Sequence, residues 1–222
     1  MFLTAPISEN ELSARARTIA GARLGDIALA TDQLLPKNLL RHKGFIGRLI
    51  EVYLGATAGT RPEPDFVEIG VELKTLPINS NGKPAESTHV CSVSLSNLAG
   101  SSWQTSLVCR KLKRVLWVPF EADKDVLLSD RRVGTPFFWT PSHDDIIVLK
   151  RDWEEHMELM STGNFSLLSS YQGQYLQVRP KAANGKTLAP SVNYHGSPSR
   201  NLPRGFYLRP IFTAKILESI FE

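Results

Sequence analysis

Three charged side chains in one short stretch carry the most chemical information in the sequence. The run Pro64-Asp65-Phe66-Val67-Glu68-Ile69-Gly70-Val71-Glu72-Leu73-Lys74 sets Asp65 seven residues ahead of Glu72, with Lys74 two residues further on. Val71 to Leu76 is short and rich in β-formers, so it reads as a strand, on which side chains at i and i+2 share a face. Glu72 and Lys74 then point one way, and Val71, Leu73 and Thr75 the other. Gly70 lets the chain turn and brings the Asp65 carboxylate beside Glu72. Two such carboxylates repel each other, and a divalent cation relieves the repulsion; hard Mg²⁺ accepts carboxylate, carbonyl and water oxygens. A neighbouring lysine can orient or deprotonate a water, or hold a phosphate oxygen. That is the equipment of metal-assisted phosphodiester hydrolysis. The pattern is short, and a strand with a solvated polar face carries the same residues.

The elements around this stretch must position it. Gly44 to Leu54 (GFIGRLIEVYL) reads as a helix whose apolar residues cover nearly the whole circumference, so it is expected to be buried, with Gly55 stopping it as a left-handed cap. Glu51 lies inside that helix between Ile50 and Val52. An ionised carboxylate in such surroundings is costly unless paired or metal-linked. A third carboxylate beside the same metal accounts for it, and so does a helix-edge glutamate reaching water.

Elsewhere, Asn10 to Arg17 and onward to Ala28 reads as helical. Cys91, Val93 and Leu95 alternate with serines as on a half-buried strand, and Val115 to Phe120 (VLWVPF) is a candidate central strand. Pro136 to Thr140 is a further short strand. Thr140-Pro141 then opens a helix, with Thr as N-cap and Pro at the first position. Ile146, Leu149, Trp153, Met157 and Met160 draw its apolar stripe, and Asp144, Asp145, Asp152, Glu154, Glu155 and Glu158 read mostly as its solvated face. Tyr175 to Val178 and Phe206 to Leu208 read as a late pair of strands around a polar loop, and Ile211 to Phe221 as an amphipathic helix with Phe212, Ile216, Leu217 and Ile220 on one side. The layout is mixed α/β.

The chain has 222 residues, 42% hydrophobic and 22% charged, which excludes a disordered chain, a collagen and a coiled coil and favours one domain with an ample core. No run of 18 apolar residues exists and the start does not read as a secretion signal, so a soluble cytoplasmic protein is expected, with Cys91 and Cys109 reduced. His42, His89, His143, His156 and His195 form no ligand spacing with the cysteines, so zinc is not expected. The net charge of +4 is segregated: Glu121 to Glu158 holds ten acids against five bases, whereas Arg179 to Lys215 holds seven bases and no acid. Arg110, Lys111, Lys113 and Arg114 form a second basic knot. Positive charge gathered in this way suits a polyanion gripped on one side, although chance clustering on a solvated surface gives the same count. Taken singly, Lys111 reads as a surface lysine and Tyr207, between Phe206 and Leu208, as a core residue.

Several runs together are more specific than any of these signals. Lys43-Gly44-Phe45-Ile46-Gly47 through Leu54-Gly55-Ala56-Thr57-Ala58-Gly59, then Asp65-Phe66 and Leu73-Lys74-Thr75, followed by KLKRVLW (Lys111 to Trp117), RDWEEHMELM (Arg151 to Met160), YLQVRPKAAN (Tyr175 to Asn184) and LPRGFYL (Leu202 to Leu208), keep one order along almost the whole chain. In these the sequence resembles the MutH family of mismatch-repair endonucleases, relatives of the type II restriction enzymes of the PD-(D/E)xK class. The resemblance implies a restriction-endonuclease-like mixed sheet flanked by helices. It implies a single endonuclease domain over residues 1–222, with a catalytic N-terminal arm and a DNA-reading C-terminal arm around a DNA cleft. It further implies a monomer that uses Mg²⁺ to nick the unmethylated strand of double-stranded DNA at hemimethylated GATC sites, activated by MutL and so indirectly by MutS. By motif match Asp65, Glu72 and Lys74 are the catalytic core, Glu51 is an additional carboxylate and Lys111 a basic residue near the scissile phosphate. The metal set is Asp65, Glu72, Glu51 and the carbonyl of Leu73. Lys43, Arg179, Pro180 and Lys181 match DNA-contacting positions, Tyr207 matches the tyrosine that senses adenine methylation, and the C-terminal helix matches a region implicated in the MutL response. The chain departs from the family's usual pattern at His42 (usually Asp), Phe45 (usually Trp) and His89 (commonly a DNA-contacting Phe), and Ser191 to Arg200 matches loosely. The alternatives are a GATC-specific restriction enzyme cutting both strands, and a DNA-binding module without catalysis, against which the intact acid–lysine set speaks.

Overall fold

The apolar run expected to be central is central. A computed structural model describes the chain except for residues 1, 3, 38, 40, 41, 43, 96, 97, 99, 170, 182–187, 194–196 and 221–222, so Lys43 and His195 lie outside the described residues. In it, β3 (Val115–Glu121) is the middle strand of a three-stranded sheet, parallel to β1 (Glu72–Ile78) and antiparallel to β4 (Phe137–Trp139). Both faces of β3 are covered: Leu116 and Val118 join the main apolar cluster, and Trp117 meets Trp139 edge to face at 6.5 Å. The chain divides into two compact units, each assembled from two stretches: 1–86 with 111–140, and 87–110 with 141–222.

The first unit packs α1 (Glu9–Arg17), α2 (Leu24–Ala30) and α3 (Phe45–Leu54) with the β1–β3–β4 sheet. Asn10 to Arg17 and the end of the segment to Ala28 are helical as expected, and the helix is interrupted between them, where the backbone pairs elsewhere: Gly21 N–H donates to Val133 O at 2.7 Å, and Leu24 N–H to Arg131 O at 2.9 Å. Helix α3 buries Ile46, Leu49, Ile50 and Leu54 but leaves Val52 exposed, so it is covered on one side and not all round. Gly55 caps it at φ 86°, and the buried Arg15 of α1 donates to Leu54 O at 3.0 Å.

The second unit is built on an antiparallel sheet in the order β2 (Thr88–Val93), β8 (Arg204–Leu208), β5 (Leu176–Pro180). The alternation expected from Cys91 holds, with Cys91 and Leu95 buried and Ser92 and Ser94 exposed; a register shift just before it, between His89 and Cys91, leaves the adjacent Val90 and Cys91 both buried. The polar loop after β5 contains a small hairpin, β6 (Ala189–Val192) with β7 (Pro198–Asn201). Helix α4 (Leu107–Leu112) holds the boundary between the units, and α5 (His143–Ser161) and α6 (Pro210–Glu218) complete the fold.

Helix α5 departs from expectation twice. Its N-cap is Ser142, in a reciprocal capping box with Asp145, and not Thr140, whose hydroxyl instead accepts from Arg114. Its buried face holds Asp145, Leu149, Asp152, Trp153, His156 and Met160, so two carboxylates expected in solvent are buried while Ile146 is 38% exposed. In α6 Phe212, Thr213 and Ile216 are buried, and Ile220 lies beyond the helix and exposed. No helix among the described residues is long and apolar enough to cross a membrane.

Candidate active site

Local backbone bonds build the acidic corner of the first unit. Phe66 and Val71 form an isolated antiparallel bridge around a single helical turn at Val67–Ile69, and Gly70 reverses the chain at φ 65°. The closed turn returns the strand to Asp65, whose Oδ2 accepts the Leu73 N–H at 2.9 Å. The Asp65 carbonyl accepts from Thr57 and Ala58, tying the same residue to the segment that leaves α3. Glu72 begins β1 opposite Val115, and its N–H donates to Arg114 O at 3.0 Å. That parallel register sets Lys111, four residues ahead of Val115, over Glu72.

The charged face of β1 is not solvated, since Glu72 is 1% exposed. The Lys74 ammonium donates to Glu72 Oε1, and Lys111 Nζ reaches Oε1 at 2.9 Å and Oε2 at 2.8 Å. Glu51 lies over its own helix, with Oε1 3.7 Å from the point where a Cβ on Gly47 would stand. Its carboxyl is pushed up to about 7, first by burial and then by the charges of Asp65 and Glu72, which Lys74 and Lys111 partly offset. Burial also raises Asp65, with Glu72 adding to it. Burial alone would lower Lys74, but Glu72, Asp65 and Glu51 outweigh it and hold the ammonium above the ordinary lysine value. Glu51 and Lys111, distant in sequence, thus join the local set of Asp65, Glu72 and Lys74.

Among the described residues no three His, Cys, Asp or Glu side chains close into a ready-made metal cage. The donor set nevertheless fits Mg²⁺, which is commonly held by one or two carboxylates and keeps several waters. Burial first, and then the neighbouring carboxylates, raise Asp65 and Glu51, and a hard dication would favour the charged form of both.

The second unit brings His89, Tyr207 and Arg179 to one sheet face. Tyr207, on the central strand β8, is paired with His89 on one side and Gln177 on the other, and the His89 and Tyr207 rings meet edge to face at 5.0 Å. Arg179, two residues after Gln177 and exposed, carries its guanidinium 5.7 Å from the centre of the Tyr207 ring. Pro180 ends the strand and is exposed, and Lys181 Nζ donates to Ser92 Oγ at 2.7 Å. Tyr207 is half-buried, and Phe206 and Leu208 on either side of it are buried. Gly205 is tightly enclosed: a Cβ there would stand 3.1 Å from Cys91 O and 3.2 Å from the Tyr207 ring. Sequence reasoning missed Gln177, which donates to Ser87 Oγ at 2.7 Å; its i−2 spacing from Arg179 was the available signal.

A mixed α/β fold that sets Asp65 beside Glu72 and Lys74 of β1 fits the restriction-endonuclease-like class. Residues 54–152 match the family model described as MutH, DNA mismatch repair enzyme MutH; this segment includes Asp65, Glu72, Lys74, His89 and Lys111. The DNA mismatch repair protein MutH of Shewanella baltica (strain OS185) is 50% identical over 211 residues, 95% of each chain. That of Shewanella sp. (strain MR-7) is 49% identical over 216 residues, 97% of each chain. The chain belongs to the MutH family of DNA mismatch repair enzymes.

Proposed function

We propose that this protein is a Mg²⁺-dependent endonuclease that nicks the unmethylated strand at hemimethylated GATC sites in methyl-directed mismatch repair. In this reading it acts in the cytoplasm as a monomer, activated by MutL and through it by MutS. The observation that carries the reading is the coupling of three carboxylates, Glu51, Asp65 and Glu72, to the two ammonium groups of Lys74 and Lys111. Family membership supports its extension to DNA.

Asp65, Glu72, Glu51 and the Leu73 carbonyl would hold the Mg²⁺, which when bound supplies Lewis-acid stabilisation of charge developing on the phosphate and the leaving 3′-oxygen. The lysines act on the substrate. A scissile phosphate competes with Glu72 for the Lys74 and Lys111 ammonium groups and is drawn to them. Lys74, placed beside Glu72, helps position or activate the attacking water. On the other unit, the Arg179 fork matches the acceptor pair on a guanine edge. Tyr207, with His89 beside it, meets the adenine methyl position, and Pro180, Lys181 and Lys43 contact the remaining DNA surface.

The decisive assay is nicking of a circular hemimethylated GATC plasmid, with and without Mg²⁺ and MutL. The expected product is an open circle cut in the unmethylated strand, lost in EDTA and increased by MutL. D65A and E72A should reduce nicking to background while binding DNA at least as tightly, since each removes a negative charge facing phosphate. A linear product would indicate a restriction enzyme cutting both strands. Binding without any nicking would indicate a DNA-binding module, and equal loss of binding in D65A and E72A would remove both residues from the metal site.

A further inference from the structure

Among the described residues, strand β5 lies at an edge of its sheet, with β8 on one side only. An edge leaves backbone N–H and C=O groups that need partners. Two side chains one turn apart on α5 supply them at Leu176. Asp152 Oδ2 accepts from the Leu176 N–H at 3.0 Å and from the Tyr175 N–H at 2.7 Å, and His156 Nε2 stands 3.1 Å from Leu176 O. A carbonyl only accepts, so Nε2 carries the hydrogen. Burial, opposed by that bond and by Glu155 and Asp152, lowers the imidazole pKa and favours its neutral form. From the other direction the Arg209 guanidinium donates to Gly173 O at 2.9 Å and Tyr171 O at 3.1 Å, and the Arg209 N–H to Tyr175 O at 2.8 Å.

Asp152 is 1% exposed, and its ion partner Arg151 stands 3.7 Å away. An apolar residue in its place would leave the Tyr175 and Leu176 N–H groups unpaired, so the Asp152 carboxylate is tied to this stretch of backbone. What distinguishes Asp152 is the backbone it grips. Three residues beyond Leu176, on the same strand, comes Arg179, paired opposite Gly205 with its guanidinium over Tyr207.

We propose that Asp152 and His156 are positioning residues for DNA reading, clamping the start of β5 so that Arg179 and Pro180 are presented in one register. The inference rests on the reading of Arg179 as a base-contacting residue. It gives the Arg151–Met160 segment, which the nicking chemistry does not use, a role in specificity. The test compares nicking of a GATC plasmid with nicking of one altered at a single base pair, using the full chain with Mg²⁺. Both rates come from one preparation, so a smaller folded fraction lowers both and leaves their ratio unchanged. D152A should lower the ratio on the order of tenfold, as expected when a reading group is misplaced. H156L, which removes the donor to Leu176 O while keeping volume, should lower it several-fold, and decides alone where D152A does not fold. D152N, which retains an acceptor oxygen, should restore the ratio to within about twofold. If R179A lowers the ratio and neither D152A nor H156L does, the positioning role is overturned. If R179A also leaves it unchanged, the reading of Arg179 itself fails.

Discussion

Glu51 shows most directly what the acidic corner costs the metal-free protein. Its folded value of about 7 lies above the ordinary 4.5, so its contribution to stability is fully present below about pH 4.5 and is lost as pH rises towards about 7. E51Q removes the ionisation. In EDTA, wild type should therefore lose on the order of 1–3 kcal/mol relative to E51Q between about pH 4.5 and about pH 7.5. Urea unfolding of both proteins across that range measures it, and a difference that does not move with pH would put the Glu51 carboxylate in water. At this scale legibility followed sequence distance. Asp65, Glu72 and Lys74 were readable because a turn and a two-residue period are local features. Lys111 was legible only through the family resemblance, because its meeting with Glu72 depends on the Glu72–Val115 register between β1 and β3, which no local pattern states.

At the scale of the element, α5 shows how a correct helix can carry a misread face. Thr140-Pro141 suggested the start, but Ser142 and Asp145 satisfy each other's backbone N–H groups, and a reciprocal cap outweighs a favourable proline. S142A should destabilise the protein by about 1 kcal/mol, as loss of an N-cap does. T140A should cost less, since its hydroxyl accepts only the exposed Arg114 bond. Thermal unfolding of the two variants ranks them, and the reverse order would return the cap to Thr140. The buried Asp145 and Asp152 were illegible for a related reason. An apolar stripe is counted from side chains on one helix, whereas these carboxylates are satisfied by the Lys215 ammonium in one case and by the Tyr175 and Leu176 N–H groups in the other. The bulge at His89–Cys91 was hidden too, because it lies just ahead of the serine alternation that marks the strand.

Across the whole molecule, charge and chemistry are divided between the two units. Glu51, Asp65, Glu72, Lys74 and Lys111 all belong to the first, and His89, Arg179, Pro180, Lys181 and Tyr207 to the second. The acid-free stretch from Arg179 to Lys215, with its seven bases, was countable from composition alone, yet a count does not say which base meets a phosphate and which meets a base edge. Lys181 and Arg179 separate those roles. Lys181 lies just beyond the end of β5, its ammonium on the Ser92 hydroxyl, and a lysine there offers a point charge without the paired geometry that reads a sequence. Phosphate contacts release counterions, so log K falls linearly with log salt by roughly 0.9 per contact. K181A should weaken binding to GATC duplex and to an unrelated duplex by the same factor and reduce that slope by about one. Anisotropy titrations of both duplexes over a series of salt concentrations, in EDTA to prevent cutting, measure both quantities. An unchanged slope would take Lys181 off the DNA, and a loss confined to the GATC duplex would make it a reader of bases.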